Sequence, residues 1–174
     1  TQYTKAIRLV SRKPKRVNPS DQIIETDITI PRELFKAVKG SSVVYVAVGF
    51  KYSTSVWKDL WPPFLQNTVI ACKKHGARLV FFDNVYMYDK DYMGNMTEDT
   101  PVIPTSSKGK VRAEISNDLW DEIENGRIEA LIARSADFLA TKNSIPVETI
   151  YNRFKEGKKA QWFVDATKIH NFTY

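Results

Sequence analysis

Short apolar runs of strand length alternate along the chain with segments of helical periodicity, and this alternation restricts the fold more than any other feature. Apolar strands separated by amphipathic helices predict parallel pairing through helical crossovers. Strands are expected at Ala6–Ser11, Gln22–Thr26, Ser42–Val48, Arg78–Phe82, Ile128–Ala133 and Ala160–Val164. Helices are expected at Pro31–Val38, Trp57–His75, Gly109–Asn125 and Pro146–Lys155. Pro31 opens the first of these, and Gly40, Gly76 and Gly126 follow helix ends, as helix-stop chemistry requires. Ser42–Val48 is apolar at nearly every position, which predicts a strand buried on both faces. Such crossovers are almost always right-handed, so the expectation is one α/β domain over residues 1–174. Its sheet is doubly wound, in three α/β/α layers.

Composition narrows the function. No apolar run approaches the roughly 20 residues of a membrane span, no signal sequence is expected at the start, and no membrane partner is expected. Cys72 is the only cysteine, which excludes an intrachain disulfide or a cysteine cage for a metal. A reducing cytoplasm is the expected compartment. The net charge of +6 is scattered, with local density only at Arg12–Arg16, Lys108–Arg112 and Lys155–Lys159. Nucleic-acid binders concentrate charge on one face or in a known module, so no nucleic-acid partner is expected. Sites for a small anionic ligand fit better, and oligomerisation is left open. His75 ends a helix and reads as a cap. His170 has no ligand-spaced neighbours, and no metal site is expected. Trp57, Trp61 and Trp120 are expected to pack in the core or a cleft wall.

In open α/β sheets ligands bind beyond the carboxyl ends of the strands, which selects the candidate positions. Ser11, Arg12 and Lys13 follow the first strand, as a basic turn or as partners for a phosphate. Asp27 follows the second, as a turn residue or a ligand acceptor. Asp83 and Asn84 end the run LVFF, and Arg134, Ser135 and Asp137 follow the run ending at Ala133. Lys108 and Arg112 lie four residues apart, on one face of a helix, as a solvated basic start or an anion holder. The polar stretch Asp89–Ser107 is long for a compact domain, and such loops are often functional.

Several motifs in order resemble the extended short-chain dehydrogenase/reductase superfamily, NAD-dependent epimerase/dehydratase type, with its atypical members closest. Val43–Gly49 is similar to the family's fourth strand, and Gln66–Asn67–Thr68 to its N-x-x-G-T helix. Leu79–Tyr88 is similar to the fifth strand, with Tyr88 at a structural tyrosine. Thr97–Pro101 with Pro104 resembles the E-x-x-P…P loop, Lys108–Glu114 the Y-G-x-S-K-x-x-x-E segment, and Ala130–Arg134 the sixth strand.

The resemblance implies a Rossmann-type fold and an NAD(P)-dependent oxidoreductase or epimerase/dehydratase-like activity on a small polar or nucleotide-sugar-type substrate. It places Ser11, Arg12, Lys13, Asp27, Ile28, Ala47, Val48, Gly49, Asp83 and Arg134 at the cofactor. The basic residues at Ser11–Lys13 favour NADP over NAD. The departures matter as much. Anchored on Gly109, the family's catalytic tyrosine falls on Lys108, its lysine on Arg112 and its serine or threonine on Asn84. In the other register Lys108 is the lysine, and Pro104 replaces the tyrosine. Asn84, Tyr86, Lys108 and Arg112 are therefore the catalytic candidates, with Tyr86 as a stand-in acid. A non-catalytic nucleotide-binding sensor or scaffold of the same fold is the alternative. None of the seven glycines precedes Gly40, so the family's first strand and Gly-rich turn are absent. The expectation is a fragment that binds dinucleotide poorly and exposes apolar sheet edges.

Overall fold

The computed structural model describes residues 3–139, 144–162, 165 and 167–173. It forms two compact units, one of residues 1–81 and 86–132, the other of 82–85 and 133–174.

In the first unit β1 (Arg8–Ser11) pairs in parallel with β2 (Gln22–Glu25). The turn between them is tied by Asp21, whose buried carboxylate accepts the N–H groups of Val17 (3.1 Å) and Asn18 (2.7 Å). Helix α1 (Pro31–Val38) follows, burying Leu34, Ala37 and Val38. Arg8 holds its far end: Nη1 donates to the carbonyls of Ala37 and Lys39, both at 2.7 Å, while Nε donates to Gln22. A charged donor from β1 thus satisfies carbonyls that a helix end leaves open.

β3 (Val43–Val46) runs parallel to β4 (Arg78–Asp83), and β5 (Ala130–Arg134) completes the order β3–β4–β5. The long helix α2 (Thr54–His75) joins β3 to β4 and packs on α3 (Ser107–Glu124), which precedes β5. Trp61, Phe64, Leu65 and Val69 from α2 meet Val111, Ile115 and Leu119 from α3 over the fully buried Leu79 and Phe81 of β4. Each such side chain contributes about 1.5–3 kcal/mol through burial. That packing carries α2 through Pro62 and Pro63, which remove the helix donors to the carbonyls of Lys58 and Asp59. Gly76, at φ 66°, closes α2 by donating to the carbonyl of Cys72, a left-handed cap that glycine adopts without strain.

Several expectations are corrected. α2 begins at Thr54 rather than Trp57, and α3 at Ser107 because the Ser106 hydroxyl accepts the Gly109 N–H. β3 is buried on one face only: Val43 and Tyr45 point outward, Tyr45 66% exposed, and among the described residues β3 pairs with β4 alone. The expected parallel α/β architecture holds, with its strands in a two-stranded and a three-stranded sheet. Trp120 is 42% exposed, because it lies off the Ile115–Leu119 face of α3.

In the second unit β6 (Asp137–Phe138) pairs in parallel with β7 (Phe172–Thr173). A wide turn at Val147–Tyr151 leads into the short α4 (Asn152–Lys155). The strand expected at Ala160–Val164 is not formed over residues 160–162, and residues 163–164 lie outside the described residues. No helix of the described residues is long and apolar enough to cross a membrane.

Candidate functional site

The register of β1 and β2 pairs Ser11 with Glu25, so the residues that follow each strand leave the sheet side by side. The Ser11 hydroxyl accepts the Lys13 N–H at 3.2 Å and turns the chain, leaving Arg12 and Lys13 exposed. Asp27 Oδ1 accepts both the N–H (2.9 Å) and the hydroxyl (2.7 Å) of Thr29. These bonds, and then the Arg12 guanidinium, hold the Asp27 carboxyl below the usual range. Among the described residues nothing donates to Asp27 Oδ2. The residue therefore closes its own turn and keeps one acceptor oxygen. Ile28 packs half-buried against the core.

Beyond β3, Ala47 and Gly49 are exposed and Val48 is half-buried against the core. A Cβ built on Gly49 meets nothing within 4 Å, so this backbone borders open space. Phe50 then turns inward, edge-on to Trp61 with ring centroids 4.8 Å apart.

A second group surrounds the start of α3. The Lys108 ammonium stands 3.9 Å from the centroid of the Tyr52 ring. Tyr52 is edge-on to Tyr86 and to Trp57, and Tyr86 lies nearly parallel to Trp57 with centroids 6.3 Å apart. Arg112, one turn on, is only 6% exposed. Its guanidinium lies 4.1 Å from the Trp61 ring, 5.0 Å from Trp57 and 5.5 Å from Phe81. A planar, weakly hydrated cation suits such a site better than an ammonium would. The four-residue spacing of Lys108 and Arg112 is realised in one helix, but the two cations differ: Lys108 sits at the rim and Arg112 is enclosed. Tyr52, which no motif singles out, joins the group because it lies two residues before α2.

In the second unit Asp83 is buried. Its Oδ1 accepts the Asn84 N–H at 2.8 Å, and its Oδ2 lies 3.6 Å from Arg134 Nε. The expected cofactor residues Asp83 and Arg134 thus pair with each other across neighbouring strands. The Ser135 hydroxyl donates to Thr173 at 2.7 Å. His170 Nε2 lies 3.1 Å from Asp137 Oδ2, with the ring stacked on Phe172. The separation of 33 positions between Asp137 and His170 hid this partner, which only the β6–β7 pairing makes adjacent. Among the described residues no cluster of histidine, cysteine and carboxylates could hold a metal ion.

The architecture is that of Rossmann-type NAD-dependent epimerases and dehydratases. A UDP-N-acetylglucosamine 4-epimerase from Methanobrevibacter ruminantium M1, solved with UDP-N-acetylmuramic acid, superposes with a TM-score of 0.79 at 16% identity, over 96% of this chain and 60% of that one. The enzyme WbmG of Bordetella bronchiseptica, solved with NAD and UDP, gives 0.72 at 20% identity, over 89% of this chain and 53% of that one. DesIV of Streptomyces venezuelae, a dTDP-glucose 4,6-dehydratase solved as a double mutant with NAD and DAU bound, gives 0.74 at 14% identity, over 88% and 53%. The chain thus spans little more than half the length of these structures, and the likeness is one of fold. Neither models of protein families nor curated protein sequences give a match.

Proposed function

We propose that this chain forms the dinucleotide-binding part of an NAD(P)-dependent epimerase/dehydratase-like or oxidoreductase protein acting on a small nucleotide-sugar-type substrate. The observation that carries the reading is the set of ligand-ready groups beyond the parallel strands, on a fold shared with NAD-bound enzymes. Asp27 Oδ2 is an acceptor suited to the adenine amine, with Ile28 beside it, and the exposed Arg12 and Lys13, with Ser11, suit a 2′-phosphate. This favours NADP over NAD. Ala47, Val48 and Gly49 border open space where a dinucleotide backbone fits. When bound, the dinucleotide supplies hydride transfer.

The chain's own residues position and protonate. Tyr86 is the phenol that donates to, or accepts from, a substrate oxygen, and Asn84 is a hydrogen-bond donor to a substrate carbonyl or hydroxyl. Lys108 holds an oxygen-rich group at the rim, while Arg112 supports the aromatic wall. Asp83 and Arg134 fix the ends of their strands at the cofactor. The lone, buried thiol of Cys72 is in keeping with a reducing cytoplasm.

One observation favours a second reading. Arg112 stands where the resembled family keeps a lysine, yet it is enclosed by three aromatic rings. A protein that holds the dinucleotide without oxidising or reducing it fits that enclosure. Titration of NADPH and NADH into the parent and Arg12→Ala, followed by turnover assays on UDP-sugars, tests the proposal. Arg12→Ala should weaken NADPH about ten-fold and leave NADH unchanged. Equal weakening of both would reject the 2′-phosphate assignment. Tight NADPH binding without turnover, or turnover unchanged in Tyr86→Phe, would move the reading to the non-catalytic form.

A further inference from the structure

Lys108 is the second residue of α3, a place where the helix dipole disfavours a cation. Among the described residues no carboxylate pairs with it. Its ammonium lies instead 3.9 Å from the centroid of the Tyr52 ring. Attraction to a ring face is about as large as the opposing effect of the dipole, so this contact offsets what the position costs. Formation of α3 does not itself call for a lysine here.

Packing does not account for Tyr52 either. It is 66% exposed, lies two residues before α2 and is not one of the core side chains. Its ring is nevertheless set in place by neighbours. It stands edge-on to Trp57, with centroids 5.6 Å apart, and edge-on to Tyr86 at 6.5 Å. Such edge-on pairs are favoured by the ring quadrupoles. Trp57 is only 5% exposed and lies nearly parallel to Tyr86, so Tyr52 leans on a fixed wall. A long, flexible lysine side chain thereby acquires one preferred place.

We propose that Tyr52 is a positioning residue that acts through Lys108, holding its ammonium at the rim beside Tyr86 before substrate arrives. The proposal deepens the proposed function, on which it rests for the role of Lys108 toward an oxygen-rich group of the substrate. A free lysine side chain gives up rotamer freedom when it binds, whereas one already held gives up less, and affinity rises by the difference. The ring engages one side of the ammonium, and the remaining N–H donors stay available to substrate oxygens. The face of the ring does this rather than its hydroxyl, so phenylalanine serves as well and an aliphatic side chain does not.

Two measurements without turnover test this, each on variants whose Tm matches the parent. In the first, the Lys108 ε-methylene protons are followed by NMR, with the exposed Lys110 of the same helix as reference. The ring current of Tyr52 should shift the Lys108 signals upfield. That shift should vanish in Tyr52→Leu and persist in Tyr52→Phe, while Lys110 is unchanged. In the second, UDP-glucose is titrated by calorimetry. Tyr52→Leu should weaken binding about two- to five-fold, and Tyr52→Phe should restore it. In a Lys108→Met background Tyr52→Leu should have no further effect, which a residue contacting the ligand or merely supporting the fold would not show. An unshifted Lys108 signal in the parent, or equal weakening by Tyr52→Leu with and without Lys108, overturns the proposal. Were the parent not to bind UDP-glucose at all, the substrate class of the proposed function would fail, and a Tyr52-dependent Lys108 shift would still support the positioning.

Discussion

The first turn of α3 rests on the carbonyl oxygen of Tyr86: a Cβ on Gly109 would overlap that oxygen, and would also stand 3.0 Å from Ser106 Oγ and 3.1 Å from Pro104 Cβ. Two backbone segments therefore touch where the resembled family places its catalytic helix start. The contact fixes Tyr86 relative to Lys108, the neighbour of Gly109, and so sets the spacing of the aromatic group at this rim.

Gly109→Ala tests that contact, because two effects oppose each other. Alanine gains about 0.8–1 kcal/mol over glycine within a helix. Forcing a methyl group against a backbone oxygen costs about 1–3 kcal/mol, since a carbonyl cannot rotate away as a flexible side chain does. The clash should win, with a net loss of about 1 kcal/mol or more and a lower urea midpoint at unchanged m-value. A midpoint at or above that of the parent would show that the turn relaxes freely.

Asp21 gives the turn between β1 and β2 a dependence on pH. Its carboxyl is held below the ordinary range, first by the Asn18 N–H, then by the Asn18 side chain, the Val17 N–H and Arg16, against a burial effect of opposite sign. A depressed native pKa means that the stabilisation is complete above the ordinary aspartate range. It is lost as pH falls through the lowered value. Comparing denaturant midpoints at about pH 6 and about pH 3, Asp21→Asn should lose less between the two than the parent. Equal losses would assign the acid sensitivity elsewhere.

Cys72 should be chemically silent while the protein is folded. It is fully buried in α2, and burial pushes its thiol up to about 11. The thiolate is the reactive form, so alkylation at mildly alkaline pH should follow unfolding rather than surface collision. Iodoacetamide labelling is expected to rise with urea along the same curve as tryptophan emission. Rapid labelling in the absence of denaturant would show that α2 opens locally.

Element order was legible because it depends on local pattern: the runs at Val43–Val46 and Arg78–Asp83 and the glycines after α1 and α2 needed no tertiary information. Pairing was less legible. An apolar run such as Ser42–Val48 records propensity, whereas the exposure of Tyr45 depends on which strand lies alongside. Asp83 shows how far pattern alone can go. It shares the inward parity of Leu79 and Phe81, so a buried carboxylate was implicit in the run RLVFFD, but its partner Arg134 lies 51 residues (134 − 83) away. Tyr52 and the His170–Asp137 pair carried no sequence signal, because each gains its neighbours only from folding.

Arg112 separates the structural and the ligand-binding accounts of the catalytic-helix position most directly. A guanidinium enclosed by Trp57, Trp61 and Phe81 acts through stacking and packing, and an exposed anion holder would not. Arg112→Ala leaves a cavity lined by three rings and should cost about 3 kcal/mol or more. Arg112→Lys keeps the charge but replaces a plane with a compact, strongly hydrated ammonium, so it should recover only part of that loss. The same substitutions should shift tryptophan emission in the folded protein, because two of the four indoles lose their partner. Were both variants to unfold within about 0.5 kcal/mol of the parent, the residue would be behaving as a surface cation, and its role would have to be sought at a ligand.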